Sequence, residues 1–232
     1  MIKSRTIFIG DVQGCYSELK LLIKKLKLIP KDKVYFAGDM INKGPKSFKV
    51  LKYIYKNKGQ FKCVKGNHEI DFLEWLEGKP YKKNKAFKKL RNKIAKKGVP
   101  YLIQYLKDLP LYIEGNNFIL LHGGLIPNKE IQDHSQDEIT RLCEYEGKPW
   151  YEYYKGDKKI IYGHWAKEGI QFREKTKGLD SGCVYGKSLT AYILETGDVI
   201  QQTALSVYIN PYKAQKTLSD KIKDLFKFKK GN

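Results

Sequence analysis

Five short polar segments with glycines in or beside them carry the side chains that could do chemistry. Each follows an apolar stretch with the pattern of a β-strand. They are GDVQG (10–14), GDMINKG (38–44), GNHE (66–69), HGG (122–124) and GH (163–164). Carboxylate, amide and imidazole groups bind divalent cations, and glycine lets the backbone approach a metal or a phosphate closely. Their order and the preceding strands predict a two-metal site that cleaves phosphate esters.

The composition is typical of one globular α/β domain. The chain has 232 residues, 41% of them apolar and 30% charged, which is enough to bury a substantial core. We predict a single domain over residues 1–210 and a basic amphipathic helix or tail over 211–232. No apolar run approaches the roughly 20 residues that a membrane span needs, and we find no signal peptide. The four cysteines are scattered without a CxxC pair, so we expect reduced thiols in a cytoplasmic protein without membrane contact.

The net charge of +20 favours anionic partners such as nucleotides, phosphorylated chains or nucleic acid. Only four of the 45 basic residues are arginines, however, and 41 are lysines. Because bidentate recognition of phosphates and bases favours arginine, we interpret the excess as a solvated surface under compositional bias. Nucleic acid stays open as a partner, and the oligomeric state cannot be inferred.

The first third of the chain has the pattern of a βαβαβ unit. Strands are predicted at 6–9, 34–36 and 61–64, with helices at 17–27, where Ser17 would be the N-cap, and at 45–58. In parallel sheets such units place active-site loops beyond the carboxyl ends of the strands, where the first three polar segments lie.

The rest of the chain is less regular. The lysine-dense stretch 79–98 predicts a solvated helix with one apolar face (Phe87, Leu90, Ile94), and a substrate-capping role is the less favoured alternative. Strands at 117–121 and 159–162 lead into His122 and His164. The aromatic run 150–154 predicts core packing, with a stacking wall for a nucleobase as the alternative. Strands near 170–173, 189–195 and 199–203 suggest a second sheet, and His134 is predicted at the surface.

These segments resemble the calcineurin-like metallophosphoesterases of the phosphoprotein phosphatase family, and most closely the branch of symmetrical diadenosine tetraphosphatases. The resemblance to that branch is carried by DVQGCYSEL (11–19), YGHWA (162–166) and LDSGCVYG (179–186). It implies a four-layer α/β/β/α sandwich with two mixed β-sheets. It also implies hydrolysis of bis(5′-nucleosyl) tetraphosphates, with diadenosine tetraphosphate giving two ADP.

The resemblance assigns the site residues. Asp11 and Asp39 would bind the first metal ion, with Asp39 bridging to the second, and a metal-bridging hydroxide would attack phosphorus directly. His68 would protonate the leaving oxygen. The residues completing the second metal site would be Asn67, His122 and His164. Two divalent cations are implied, with Mn²⁺ preferred and Mg²⁺, Co²⁺, Ni²⁺, Fe or Zn²⁺ as alternatives.

Three positions depart from the wider family pattern. Gln13 replaces a histidine ligand, and would bind metal through its amide oxygen or support the site through water. Asn42 replaces the aspartate that orients the acid histidine, which should lower the pKa of His68. Lys43 replaces a phosphate-binding arginine. Substrate contacts are expected from Lys43, Asn67 and Arg141, which is the only arginine between His122 and His164. A surface position is the alternative for Arg141, and Glu69 is expected to start a helix or support the site.

Other functions remain open at this point. A serine/threonine-type phosphoprotein phosphatase or a broad phosphomonoesterase is the main alternative. An RNA-end or cap phosphohydrolase and a catalytically inactive nucleic-acid-binding protein are further hypotheses. The segment GCVYGKS (182–188) is not a phosphate-binding P-loop, because it has one residue too few between its glycines and precedes a predicted strand.

Overall fold

The described part of this chain is built from two five-stranded β-sheets, a two-stranded hairpin and six α-helices. The structure, a computed structural model, describes residues 4–82 and 85–210, so the predicted tail over 211–232 lies outside the described residues. The strands are Thr6–Ile9 (β1), Lys33–Phe36 (β2), Phe61–Cys63 (β3), Ile113–Glu114 (β4), Phe118–Leu120 (β5), Glu144–Tyr145 (β6), Lys148–Pro149 (β7), Lys159–Tyr162 (β8), Gln171–Phe172 (β9), Thr176–Gly178 (β10), Ser188–Ile193 (β11) and Val199–Thr203 (β12). The helices are Tyr16–Leu26 (α1), Ser47–Lys56 (α2), Asn67–Leu76 (α3), Lys85–Lys96 (α4), Tyr101–Asp108 (α5) and Gln136–Arg141 (α6).

Both large sheets are mixed. The first has the order β12-β11-β1-β2-β3, in which β1, β2 and β3 are parallel and β11 and β12 are antiparallel to their neighbours. The second has the order β4-β5-β8-β10-β9, with β5, β8 and β10 parallel. Strands β6 and β7 form a separate hairpin. The predicted α/β class with two mixed sheets is thus confirmed.

Alternation along β1 shows how the layers pack. Ile7 and Ile9 belong to the core shared with α1, α2, α4 and α5, whereas Phe8 belongs to the core between the two sheets. Phe8 lies 4.8 Å from Phe118 and 5.4 Å from Tyr35, measured between ring centroids. A third core, around Trp150 and Tyr162, covers the outer face of the second sheet together with α6. Helices, two sheets and a further helical layer therefore form the four-layer sandwich expected from the resemblance.

Several predicted elements lie where the pattern placed them, with shifted ends. Helix α1 begins at Tyr16, so Ser17 is inside the helix and the N-cap is Cys15, which makes no side-chain cap hydrogen bond. In α4 the apolar face of Phe87, Leu90 and Ile94 is buried and the lysines lie outside, as predicted. The segment 182–188 forms a short 3₁₀ helix and then β11, which is incompatible with a P-loop.

The prediction that three late strands form a second sheet is wrong for two of them. Only the strand near 170–173, which is β9, joins the second sheet. Strand β11 returns to the free edge of β1, where Ile193 is opposite Ile7, and β12 pairs with β11. Alternating apolar residues identify a strand but do not specify the sheet edge to which it returns.

No helix in residues 4–82 and 85–210 combines the length and apolar composition that crossing a membrane requires.

All four cysteines are free. They are less scattered in space than in sequence, because the thiols of Cys15 and Cys183 form a hydrogen bond with each other. This hydrogen bond raises the pKa of the Cys15 thiol.

Candidate active site

Loops from both sheets meet at one edge of the sandwich. Each follows the carboxyl end of a parallel strand, where neighbouring loops converge. In the first sheet, the loop after β1 carries Asp11 and Gln13, the loop after β2 carries Asp39, Asn42 and Lys43, and the loop after β3 carries Asn67 and His68. In the second sheet, the loops after β5, β8 and β10 carry His122, His164 and Asp180, respectively. The polar segments of all five motifs are therefore brought together.

The backbone of these loops is unusual. Eight non-glycine residues in the described chain have a positive φ, and five of them are Gln13 (43°), Asp39 (48°), Asn42 (73°), Lys43 (48°) and His164 (66°). Such conformations cost of order 1–3 kcal/mol each and persist only where the surroundings hold them. Their concentration here indicates that the fold holds these side chains in set positions.

Glu69 is one of the groups that hold the loops. Its buried carboxylate accepts hydrogen bonds from the backbone N–H groups of Asp39 (2.8 Å), Met40 (2.9 Å), Ile41 (3.2 Å) and Gly66 (2.9 Å). Since Glu69 lies in the first turn of α3, it ties the β2 loop to the start of that helix. It has the supporting role predicted from the sequence.

The hydrogen bonds around His122 define which ring nitrogen carries a lone pair. Its Nδ1 is 2.6 Å from the carbonyl oxygen of Ala37, so Nδ1 carries the proton. Burial lowers the pKa of His122 and keeps the ring neutral. Nε2 is then an acceptor, yet it faces the Oδ1 atoms of Asn67 at 3.0 Å and of Asp39 at 3.3 Å. Three lone-pair atoms facing one another are what a bound cation would satisfy.

The carboxylates of Asp11, Asp39 and Asp180 join the lone-pair atoms of Asn67 and His122 in what we call the acceptor cluster. Ligand atoms of Asp11, Asp39 and His122 lie within 4.8 Å of one another. Burial, followed by the charges of Asp180 and Asp39, raises the pKa of Asp11, and burial raises the pKa of Asp180 to about 6. Oδ2 of Asp180 is buried without a hydrogen-bond partner among the described residues. Buried carboxylates this close are ionised together only beside positive charge, which a divalent cation would supply, so the residues fit a site for such cations.

Asn67 and Gln13 each contact other predicted ligands of the cluster. Asn67 Oδ1 is 2.9 Å from His164 Nδ1 as well as near His122, so these three side chains surround one point. Gln13 lies on the same cluster: its Nε2 is 3.3 Å from Asp11 Oδ2 and 3.2 Å from Asp39 Oδ2. In this orientation the amide donates to the carboxylates, and a half-turn of the amide would point its oxygen to the same place.

His68 faces the cluster with one ring nitrogen and Asn42 with the other. Asn42 Nδ2 donates to His68 Nδ1 at 3.0 Å, which leaves the proton of the neutral ring on Nε2. Nε2 is buried, lies 3.4 Å from Asp39 Oδ2 and has no hydrogen-bond partner among the described residues. Burial, the largest effect, lowers the pKa of His68 to about 4. The predicted direction is confirmed, although the main cause is burial rather than Asn42.

The two predicted substrate cations, Lys43 and Arg141, both lie close to this centre. Lys43 is close enough to Asp39 and Asp180 for their charges to raise its pKa against the effect of burial. Arg141 donates to Asp71 Oδ1 at 2.6 Å and to Asp137 Oδ1 at 3.0 Å. A cavity of about 510 Å³ begins at His68 and Lys43 and is further lined by Tyr81, Tyr185, Lys85 and Lys89.

Sequence reasoning missed two acidic residues and misplaced one histidine. Asp180 was part of a recognised motif but received no role, since its contact with Asp11 depends on the arrangement of the two sheets. Asp71 lies 3.9 Å from His68 Nδ1 and could have been found from its i+3 spacing on α3. His134, predicted at the surface, is 7% exposed, and both ring nitrogens hydrogen-bond to backbone groups. The aromatic run is core at Trp150 and Tyr151, as predicted.

Comparison with known proteins decides the family. The sequence profile of the calcineurin-like phosphoesterases matches residues 4–201, which include every loop of the site. The chain belongs to the calcineurin-like phosphoesterases. This membership implies a hydrolase of phosphoric esters or anhydrides that uses two divalent metal ions.

Relatives within the calcineurin-like phosphoesterases are similar over nearly the whole chain. A protein of Vibrio parahaemolyticus named symmetrical bis(5′-nucleosyl)-tetraphosphatase is 27% identical, covering 86% of this chain and 99% of the relative. A Pseudomonas fluorescens protein of the same name is 26% identical, covering 83% and 90%. A crystal structure described as that of a candidate diadenosine tetraphosphatase has a TM-score of 0.74 at 28% identity, covering 88% of this chain and 96% of that one. The predicted family, fold and enzyme class are confirmed.

Proposed function

We propose that this phosphoesterase hydrolyses bis(5′-nucleosyl) tetraphosphates symmetrically, so that diadenosine tetraphosphate gives two ADP. The observation that carries the proposal is the extent of the similarity. The relative from Vibrio parahaemolyticus, named for this reaction, aligns over 99% of its own length. Every loop of the site lies within the matched family region 4–201.

Residues of the acceptor cluster would hold the two cations. Asp11 and Asp39 would serve the first, with Asp39 shared, and Gln13 would support it directly or through water. The second would be held by Asn67, His122 and His164. This donor set has oxygen and imidazole groups and no thiolate, which supports Mn²⁺ or Mg²⁺ over softer ions. When bound, the cations supply Lewis acidity and lower the pKa of a coordinated water.

The surroundings of His68 favour an anhydride over an alkyl ester. Its Nδ1 faces the neutral amide of Asn42 at 3.0 Å, and the nearest Asp71 oxygen is 3.9 Å away. A buried histidine whose Nδ1 lacks a carboxylate partner is seldom protonated near neutral pH, so it is a poor general acid. A leaving nucleoside diphosphate, whose phosphate titrates near pH 6, needs far less protonation than a serine alkoxide. We therefore assign His68 to hydrogen-bond the leaving phosphate through Nε2.

The remaining substrate contacts follow from charge and space. Lys43 and Arg141 lie close to the cluster and would bind phosphate oxygens, with Asn67 orienting the phosphate that is attacked. The cavity of about 510 Å³ beside His68 could hold the leaving nucleotide, since Lys85 and Lys89 match its phosphates and Tyr81 and Tyr185 its base. The free cysteines support a reducing, cytoplasmic location as part of this proposal.

The test is product analysis. Metal-stripped protein is incubated with Mn²⁺ and diadenosine tetraphosphate, and the nucleotides are separated by chromatography. We expect ADP alone, formed only with metal, lost in His68→Ala and retained in His134→Gln, a histidine outside the site. ATP with AMP would place the cut asymmetrically. Phosphate from a phosphoserine peptide without ADP from the dinucleotide would support a phosphoprotein phosphatase instead.

A further inference from the structure

The positive charge of this chain is concentrated in two segments. Residues 40–68 contain eight lysines, residues 78–107 contain ten lysines and one arginine, and neither contains Asp or Glu. They make up about a quarter of the chain but hold 19 of its 45 basic residues, so all other residues together hold 26 basic and 25 acidic side chains. An even compositional bias does not produce this distribution.

The fold brings the two segments together beside the active site. Helix α2 from the first packs against α4 from the second. Three adjoining cavities of about 510, 120 and 560 Å³ follow their contact. The first, which begins at His68, shares Lys89 with the second, and the second shares Lys49 and Lys93 with the third. We call this continuous path the lysine groove.

Lysines line both walls of the groove at helical spacing. Spacings of three and four residues place side chains on one face of a helix. The α2 wall carries Lys49, Lys52 and Lys56, and the α4 wall carries Lys85, Lys89 and Lys93. None of these six makes an ion pair with any described residue, whereas Lys79 and Lys107, outside the groove, pair with Glu74 and Glu77. Unpaired like charges facing each other are unfavourable until an anion lies between them.

Aromatic rings accompany the lysines at both ends of the groove. Tyr81 and Tyr185 lie at the active-site end, and Tyr16, Phe48 and Tyr53 line the far end, all partly exposed. A basic groove with aromatic side chains is the arrangement that binds single-stranded nucleic acid, since phosphates follow the charges and bases stack on the rings. The second and third cavities are lined by no Arg, Asn or Gln that could identify a base.

We propose that the lysine groove binds single-stranded nucleic acid without sequence preference, with its backbone along the lysines and its bases against the rings. One end of the strand would lie at the active site. The groove extends beyond the cavity assigned to the leaving nucleotide, so this inference goes beyond the proposed function and does not depend on it.

The first test measures the salt dependence of binding. The Mn²⁺-loaded chain is titrated into a 3′-fluorescein-labelled oligouridylate of about 12 nucleotides with a 5′-hydroxyl, and anisotropy is recorded at several salt concentrations. The groove variant changes Lys49, Lys52 and Lys93 to Gln. The control variant makes the same change at Lys31, Lys33 and Lys155, which are exposed near the amino ends of β2 and β8. We expect the groove variant to reduce the slope of log K against log salt by about 2 and the control to leave it unchanged.

Equal losses in both variants, or no binding by the unmodified chain, would overturn the proposal. The second test replaces Tyr16 and Tyr53 by Leu, which should weaken oligouridylate binding about tenfold and leave binding of inorganic polyphosphate unchanged. Polyphosphate that binds more tightly than oligouridylate of equal charge, with no effect of the Tyr changes, would overturn nucleic acid as the ligand. Diadenosine tetraphosphate hydrolysis is assayed in the same variants. Oligonucleotide binding without ADP formation in the unmodified chain would refute the proposed function but not the groove.

Discussion

Glu69→Gln replaces a buried carboxyl group of the site by an amide of nearly the same volume. In the structure, Oε1 accepts from the N–H groups of Met40 and Ile41, and Oε2 from those of Asp39 and Gly66. In glutamine one of these oxygens becomes an NH₂ group, which is itself a donor. Whichever way the amide turns, two buried N–H groups lose their acceptor and face another donor.

The cost follows from that count. A buried donor left without a partner costs about 1–3 kcal/mol, so two predict a loss of about 2–6 kcal/mol in the free energy of unfolding. A domain of this size has about 5–15 kcal/mol in total, and even 2 kcal/mol lowers Tm by about 4–8 °C. Because one of the two loops carries Asp39, Mn²⁺ affinity should fall as well.

Urea unfolding of the metal-free protein, followed by circular dichroism, measures the loss. The matched control is Glu138→Gln, because Glu138 is also the third helical residue of a capping box, at the start of α6, but is only partly buried. We expect a much smaller change there. Isothermal titration with Mn²⁺ on both variants then tests the metal affinity.

A loss below about 1 kcal/mol in Glu69→Gln would refute this reasoning. Burial, and then the charge of Asp39, raises the pKa of Glu69 to about 8, and hydrogen bonds from the N–H groups of Gly66, Ile41 and Asp39 oppose that rise. A protonated carboxyl would need an acceptor for its own O–H, and its four described partners are all donors. A negligible loss at neutral pH would show that the carboxyl is nonetheless protonated and resembles glutamine.

Three further predictions test the site. Asn42→Asp gives Nδ1 of His68 a carboxylate partner and should raise the pKa of His68 by about 1–3 units. We expect kcat on a phosphoserine peptide to rise about tenfold, while diadenosine tetraphosphate hydrolysis changes less than threefold. Equal changes on both substrates would contradict this prediction. Burial raises the pKa of Asp180 in the folded protein to about 6, so the metal-free protein should lose stability as pH rises from about 4 to 6. In Asp180→Asn, urea unfolding should show a smaller loss over this pH range, and Mn²⁺ binding should weaken. An unchanged pH dependence of stability would show that Asp180 is not the group responsible. Phe8→Leu, in the core between the sheets, should lower the free energy of unfolding by about 1–1.5 kcal/mol and weaken Mn²⁺ binding. Phe61→Leu, in the core on the helix side, should lower it by a similar amount without weakening Mn²⁺ binding. Equal losses of Mn²⁺ affinity in the two variants would show that packing between the sheets does not position the ligands.

Local patterns predicted the parts of the fold that local forces determine. Strand β1 matches its predicted bounds, Thr6–Ile9, because four consecutive residues with β-propensity precede a glycine turn. The buried face of α4 follows from the spacing of Phe87, Leu90 and Ile94. The convergence of the candidate site residues could be predicted because each polar segment follows a strand, and carboxyl ends of parallel strands share an edge.

What depends on long-range pairing was not predictable from one sequence. Strand β11 pairs with β1 across more than 180 residues, and its alternating pattern is compatible with either sheet. The contact between Asp180 and Asp11 joins the loops of two different sheets, so it exists only once the sheets have packed. His134 looked like a surface residue because its neighbours are polar, but its ring is buried, where it accepts a hydrogen bond from the N–H of Ile126 and donates one to the C=O of Glu130.

The strained β2 loop also marks a change in the charge of the chain. Asp39, Asn42 and Lys43 all have positive φ and follow one another within the β2 loop. The acid-free segment begins directly after Asp39, so the chain changes from a carboxylate cluster to a lysine-lined groove within a few residues. An anion entering along the lysines would meet the cluster only after its charge has been partly neutralised, since Lys43 stands between the two. The order of charges along this loop is therefore suited to guiding a polyanion towards carboxylates that would otherwise repel it.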